Sequence, residues 1–285
     1  MLRDIERYLT CPHCARGLAF EATGRALRCP GGHSFDLAKQ GYVSLLPGDA
    51  HTGTGDTPEM VAARADFLAA GHYHPIAAAL AEAAGNASGA DGLVVDLGAG
   101  TGYYLAQVLD ALPGAVGAAL DISKFALRRA AKAHPRAGAV VCDAWRPLPL
   151  ADGCAELLLN VFAPRNGAEI HRVLRPGGSL LLVSPTSRHL RELVDALGLL
   201  SVDEEKERRI DEKLSPWLSP VAAREVEFEL RLSHQDAAAV VGMGPNAWHT
   251  DRARIADALA ALPEPVAVTG SVRVAVYQRA ARPGG

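Results

Sequence analysis

Cysteine and histidine at close, paired spacings are the first residues of this chain that could do chemistry. Cys11-Pro12-His13-Cys14 is followed, after a gap of fourteen residues, by Cys29-Pro30-Gly31-Gly32-His33. Three thiolates and one imidazole are the ligand count and type of a closed tetrahedral zinc site. Each pair sits on a short turn with proline after its first cysteine, so each can grip one metal ion. Two turns carrying unrelated thiols is the alternative, and it leaves the matched spacing unexplained. Cys11, Cys14, Cys29 and His33 together leave no open coordination position, so the expected Zn2+ is structural. Of the five cysteines, Cys142 and Cys154 fall outside the set. Reduced thiols beside a metal site suit the cytoplasm.

A second constellation begins at Val94-Val95-Asp96-Leu97-Gly98-Ala99-Gly100-Thr101-Gly102. This is a strand running into a glycine turn, and Gly98, Gly100 and Gly102 let the backbone approach a ligand closely. The spacing is G-x-G-x-G, not the G-x-G-x-x-G of a dinucleotide site. Asp96, just before the turn, would repel a pyrophosphate but would attract an ammonium group. Asp121 ends the next apolar run, where a carboxylate can accept both ribose hydroxyls. Asp143 ends the one after, where it can accept from an adenine amino group. Each aspartate alone could be a helix cap. Three at successive strand ends behind a glycine turn suit a cationic nucleoside, and S-adenosylmethionine is such a molecule. Tyr103, Ile122 and Ala144, beside these groups in sequence, complete that side of the expected cofactor-binding set.

These residues need a scaffold that brings strand ends together. Gly92–Leu97, Ala115–Leu120, Ala139–Cys142, Ala155–Phe162 and Ser179–Ser184 are short apolar runs of the length of buried parallel strands. Helical stretches over Gly102–Leu112, Lys124–His134, Gly167–Leu174 and Arg188–Leu197 separate them. This order of strands and helices implies a doubly wound α/β sheet. Glu225–Ser233 and Val266–Arg279 alternate polar and apolar and are expected as an antiparallel edge, with a helical piece at Gln235–Gly242 between them. Ser34–Asp36 through Gly41–Leu46 reads as a short strand pair closing the zinc module. The Gly-, Thr- and Asp-rich run after Pro47 reads as a linker or lid loop. Thr57-Pro58 opens a helix that ends at Gly71. The charged stretch from 199 to 220 reads as a solvated insertion. The expected division is a zinc-binding recognition module over 1–46, a linker and helical lid over 47–90, and a cofactor-binding domain over 91–285.

Composition narrows the partners. The chain has 285 residues, 49% hydrophobic and 21% charged, with a formal net charge of −3. That is a globular composition, and its mild acidity argues against a general nucleic-acid binder without excluding a local basic patch. Such a patch lies in the zinc module, where Arg3, Arg7, Arg16, Arg25, Arg28 and Lys39 outnumber Asp4, Glu6, Glu21 and Asp36. No apolar run is long enough to span a bilayer. Met1–Glu6 lacks the apolar core of a signal peptide, so a cytoplasmic location is expected.

Residues 92–185 resemble a class I S-adenosylmethionine-dependent methyltransferase, with Arg175-Pro176-Gly177-Gly178-Ser179-Leu180 in place of the turn before that family's fifth strand. The resemblance implies a seven-stranded Rossmann-like sheet. The zinc quartet, Phe35–Leu46, Met60 through Gly71-His72-Tyr73 and Asp121-Ile122-Ser123-Lys124 narrow it further. Together they resemble the zinc-containing rRNA guanine-N1 methyltransferases, in their actinobacterial macrolide-resistance branch. The implied substrate is a hairpin loop of large-subunit (23S) rRNA, and the implied assembly a homodimer.

Guanine N1 carries a proton, so methylation needs that proton removed and the base held in line. Asn160, at the end of the fourth core strand, is the expected group that orients the acceptor, by its side chain or through the Val161–Ala163 backbone. His72 is the candidate base and, with Asn160, a candidate cofactor contact. Trp248, Phe20, Phe35 and Tyr42 could stack on a flipped base or pack in the core. Two other readings compete. One is a small-molecule methyltransferase of natural-product biosynthesis that retains the zinc module; the other is a non-catalytic RNA-binding protein, against which the intact glycines and aspartates speak.

Overall fold

Alternation of apolar side chains in the core strands gives the sheet two apolar faces. The computed structural model describes residues 1–48, 56–87, 91–199, 205–243 and 252–280. Four short strands come first: β1 (Ala19–Phe20), β2 (Ala26–Arg28), β3 (Ser34–Asp36) and β4 (Tyr42–Ser44). The core strands are β5 (Asp91–Leu97), β6 (Gly114–Asp121), β7 (Ala137–Val141), β8 (Ala155–Val161) and β9 (Leu174–Pro185), then β10 (Leu218–Leu232) and β11 (Val266–Arg279). Strands β1, β2 and β3 form a small antiparallel sheet. The large sheet runs β10-β11-β9-β8-β5-β6-β7-β4. Pairing is parallel from β4 to β9 and antiparallel at β9–β11 and β11–β10.

Seven of these strands make the expected doubly wound sheet; β4 is an eighth. The chain winds outward from β5 through β6 to β7, then restarts at β8 on the other side. The switch point lies between β5 and β8, where the carboxyl ends of parallel strands open a crevice. Within β8, Leu157 and Leu159 face one apolar cluster and Leu158 the other.

On the first face lie α2 (Pro58–Ala69), α3 (His74–Ala87), α4 (Tyr103–Ala111), α5 (Lys124–Ala130), α7 (Arg191–Leu197), α9 (His234–Gly242) and α10 (Arg252–Ala260). Thr57 caps α2 through its side chain, which accepts from the Met60 N–H, with Pro58 at the first helical position. On the second face lie α1 (Leu2–Ile5), α6 (Gly167–Val173) and α8 (Lys206–Leu214). Gly138 in β7 leaves room for α1: a Cβ there would stand 2.6 Å from Ile5 Cδ1.

Three expectations need correction. The strand pair expected from Ser34 to Leu46 reduces to one bridge between Leu37 and Val43, because Tyr42–Ser44 pair with β7 in the large sheet instead. The charged stretch from 199 to 220 is not simply solvated. Its α8 turns Ile210 and Leu214 into the second apolar cluster, and Asp211 meets Arg273 and Tyr277 on β11. A sparse apolar stripe within charged sequence hid an amphipathic helix. Finally, β10 begins at Leu218, well before the expected Glu225. Trp248 and the linker run 50–55 lie outside the described residues.

Candidate functional site

The metal quartet assembles as the spacing requires. One ligand atom from each of Cys11, Cys14, Cys29 and His33 lies within 4.8 Å of the others. Cys14 Sγ is 3.6 Å from Cys29 Sγ, and His33 Nδ1 is 3.5 Å from Cys11 Sγ and 3.3 Å from Cys29 Sγ. A tetrahedron with Zn–S bonds of about 2.3 Å has edges of about 3.8 Å, shorter toward nitrogen, so this donor set fits Zn2+ in size and chemistry. Gly31 brings its backbone against three of the ligands: a Cβ there would stand 3.4 Å from Cys14 Sγ. Cys142 and Cys154 are free, and burial raises both thiols, Cys154 to about 11.

Around this centre the candidate stacking residues divide. Phe35 lies parallel to the His13 ring, and Phe20 lies under the Arg3 guanidinium at 4.4 Å. Tyr42 is buried in the first apolar cluster through β4, so it packs and cannot stack on a base.

At the switch point the glycine turn leaves β5. Gly98 and Gly100 both have positive φ. A Cβ on Gly98 would stand 2.4 Å from Ala163 Cβ, so the turn can pass the β8 loop only as glycine. On Gly100 a Cβ would meet nothing nearer than Arg64 Cδ at 4.0 Å, so its bare backbone faces open space that a ligand can occupy. Asp96 is 1% exposed, and its Oδ2 has no hydrogen-bond partner. Burial first, then the charge of Asp121, push this carboxyl up to about 8 against the pull of the Leu105 N–H. Such an unpaired buried acceptor is costly unless a ligand donor reaches it. Asp121 accepts from the N–H groups of Gly100 and Ser123, each at 2.8 Å, and burial still raises its pKa. Ile122 lies between Asp121 and Ser123 in that turn. Asp143, followed by Ala144, accepts from the Trp145 N–H at 2.9 Å and faces Arg146 Nε at 3.8 Å. Tyr103 packs edge-on against Tyr104, whose buried hydroxyl is also unpartnered. These orphan acceptors beside a glycine cradle fit the ammonium and hydroxyl groups of S-adenosylmethionine.

At the end of β8, Asn160 is wholly buried. Its amide donates to Pro164 O at 2.8 Å and to Leu97 O at 3.4 Å. The side chain thus ties the loop after β8 to the end of β5. The next residues carry the exposed part of this end: Phe162 has φ of 52° and is 40% exposed. Its ring stacks on His189 at 5.8 Å and lies 6.1 Å from Tyr73. The Tyr73 hydroxyl is 3.2 Å from His189 Nε2. His72 turns elsewhere, onto the Phe67 ring and toward Asp236 Oδ2 at 3.5 Å.

The structure therefore gathers Asp96, Gly98, Gly100, Asp121 and Asn160 at one crevice and brings Tyr73, rather than His72, to the end of β8. Gly102 is instead a packing glycine, since a Cβ there would stand 3.0 Å from Ala130 Cα and from Ala133 Cβ. Sequence reasoning reached Tyr73 only as the neighbour of His72 and Phe162 only through the Val161–Ala163 backbone, and it missed His189, Tyr104 and Arg64. A signal existed for Phe162, which directly follows Asn160-Val161, but none for His189, which the fold carries in from beyond β9.

Comparison with known proteins fits both halves. Residues 9–52 match the family described as RlmA, N-terminal, a zinc ribbon, and residues 94–178 match a methyltransferase domain. The 23S rRNA (guanine(748)-N(1))-methyltransferase of Streptomyces fradiae is 50% identical over 97% of this chain and 98% of its own length. A Micromonospora griseorubida protein named for 23S rRNA guanine-N1 methyl transfer is 56% identical over 96% and 98%. Among solved structures, a Bacillus halodurans methyltransferase superposes with a TM-score of 0.50 at 14% identity, over 71% of this chain and 97% of its own. A chain of the Haloferax volcanii complex of a methyltransferase with its activator gives 0.51 at 18%, over 80% and 97%. At those identities the likeness concerns the fold alone.

Proposed function

The chain belongs to the 23S rRNA (guanine-N1)-methyltransferase family, and from that membership we propose how its site divides the work of methylating a guanine. The carrying observation is the juxtaposition at the switch point: an orphan buried carboxyl on β5 with the glycine cradle just after it, and a half-exposed aromatic ring just after β8. When bound there, S-adenosylmethionine supplies an electrophilic methyl group. Asp96 receives its ammonium group, Asp121 its ribose and Asp143 its adenine. Phe162 stacks on the acceptor guanine, and the Val161–Ala163 backbone holds the base edge. Asn160 is a positioning residue whose Nδ2 donates to Leu97 O and Pro164 O, while its buried Oδ1 has no partner in the structure. His72 supports the neighbouring Tyr73, which walls the acceptor pocket with His189. Transfer is an in-line displacement: the bond from guanine N1 to the methyl forms as the methyl–sulfur bond breaks, and S-adenosylhomocysteine leaves. The N1 proton passes to solvent water, with His72 turned toward Asp236, so most of the acceleration comes from positioning. The zinc module presents Phe35 and its arginines to the hairpin.

The acceptor in this reading is the guanine named for the Streptomyces fradiae relative, position 748. Methylation there would guard the ribosome against macrolides such as tylosin, and an rRNA substrate places the enzyme in the cytoplasm. No described helix is long and apolar enough to cross a membrane. A homodimer belongs to the same reading. The edge of β10, where Val221 is 55% exposed, offers it a surface, and light scattering at twice the chain mass is the expected result.

The test is primer extension on unmodified large-subunit rRNA after incubation with enzyme and S-adenosylmethionine. A methyl on N1 blocks pairing, so one clean stop is expected at that guanine, with loss of tylosin sensitivity in a host lacking the modification. A folded, cofactor-binding protein that transfers no methyl to RNA would overturn the reading. A stop at a neighbouring guanine would overturn the position alone.

A further inference from the structure

We propose that Arg64 receives the α-carboxylate of S-adenosylmethionine, an inference that rests on the cofactor reading above and extends it. The amino-acid tail of this cofactor carries both signs. Asp96, Asp121 and Asp143 suit its ammonium, hydroxyl and amino groups, but three carboxylates repel a fourth. The crevice therefore needs a cation on the side of the glycine turn, and α2 supplies one. Arg64 crosses from the helical lid to the turn, with its Cδ 4.0 Å from the space a Cβ on Gly100 would fill. Its charge is felt by both Asp121 and Tyr104.

The guanidinium is held but not used up. Nη1 pairs with Asp56, just before the Thr57 cap of α2, and both side chains are largely shielded from solvent. Among the described residues, Asp56 is its hydrogen-bond partner. A planar guanidinium has five N–H groups in a fixed fork, so Nη2 and Nε stay available for a second carboxylate. Asp56 fixes the plane of the fork, and the bare backbone of Gly100 leaves room for the incoming group. The competing role is that of a plain counter-ion for Asp121. That role ignores whether the ligand carries a carboxylate, and the difference can be measured.

The measurement is calorimetric titration of the full-length, zinc-loaded protein with S-adenosylhomocysteine and with its decarboxylated counterpart, S-adenosyl-3-thiopropylamine. The two ligands differ only in the carboxylate. Wild-type protein is expected to bind the first at least about tenfold more tightly, as a charge-assisted fork bond would give. Arg64→Gln is expected to weaken S-adenosylhomocysteine binding by about ten- to a hundredfold while moving the decarboxylated ligand less than about twofold. Arg64→Lys, which keeps the charge but loses the fork, is expected to fall between. Equal weakening of both ligands by Arg64→Gln would assign the residue to the counter-ion role and overturn the proposal. So would a wild-type protein that does not distinguish them, a comparison that stands even if a variant fails to fold. Wild-type protein that binds neither ligand would overturn the cofactor reading itself.

Discussion

Cofactor affinity should climb with pH, and Asp96 sets the slope. Its carboxyl is pushed up to about 8 by burial and by Asp121. At neutral pH the free site therefore holds a neutral acid in about nine molecules of ten. A ligand ammonium needs the carboxylate, so binding must expel that proton. Each pH unit below 8 costs about tenfold in affinity, or about 1.4 kcal/mol. From about pH 6 to pH 8 the ionised fraction rises from about one in a hundred to one half, so S-adenosylhomocysteine should bind several tens-fold more tightly. Stability of the free protein should move the other way. The folded state holds this proton more tightly than the unfolded chain, where an aspartate titrates near 3.9, so stability is full below about pH 4 and is lost as pH rises through about 8. Asp96→Asn copies the protonated form. It should melt no lower than wild type at pH 8 without ligand, bind S-adenosylhomocysteine weakly, and show no acid limb. Titration calorimetry across the range tests this, with 5′-methylthioadenosine as the control because it lacks the amino-acid tail. Equal slopes for the two ligands, a flat profile in wild type, or an acid limb retained in Asp96→Asn would refute the reasoning.

Four further outcomes are expected. Phe162→Ala removes the proposed stacking platform, worth about 1–3 kcal/mol per base, and should raise KM for the RNA by about five- to a hundredfold while leaving S-adenosylhomocysteine affinity unchanged. Asn160→Ala uncouples the β8 loop from β5; kcat should fall with little change in cofactor affinity, and the lost bonds should cost about 1–3 kcal/mol of stability by urea denaturation. Leu214→Ala should cost about 2–5 kcal/mol in the same assay, whereas a residue of a solvated insertion would cost almost nothing. Removing zinc with a chelator should lower the melting temperature of the whole chain in a single transition, because the module shares the second apolar cluster with the sheet.

Legibility followed the reach of each interaction. The zinc quartet could be read because its ligands form two local bites, and local spacing is what sequence displays. The glycine turn and its three aspartates could be read because each sits at a strand end whose apolar run is short and clean. Tyr73, Phe162 and His189 could not be grouped, because they meet only once the sheet reverses between β5 and β8 and brings distant segments together. Asn160 was legible as a position but not as a partner: nothing local says that its amide goes to Leu97 and Pro164. Charge concealed α8, since Ile210 and Leu214 are one helical turn apart in a run otherwise made of acids and bases. Tyr42 misled for the opposite reason, because the local pattern of a strand does not disclose which sheet will take it.

That last point changes what the zinc module is. A separate ribbon on a linker could search for its hairpin independently of the active site. Here β4 continues the sheet beyond β7, and α1 packs on Gly138 of β7. Farther along, Leu9 bridges Leu150, the Thr10 N–H donates to Pro149 O at 3.0 Å, and the Ala151 N–H donates to Tyr8 O at 2.9 Å. Cys11 and Cys29 belong to the same apolar cluster as Leu93, Leu120 and Val140. The metal therefore fixes two turns whose other side is the floor under the cofactor strands. Its distance from the crevice is set by packing, and packed interiors have little freedom to deform. In the proposed reading, RNA gripped by the module would meet the acceptor pocket at a fixed separation, and the module would serve as a ruler as well as a grip. Lengthening the turn between β3 and β4 would not detach such a ruler. Truncating the α1–β7 contact would loosen it while the other ties hold, and Ile5→Ala should lower the rate on rRNA more than it lowers affinity for S-adenosylhomocysteine.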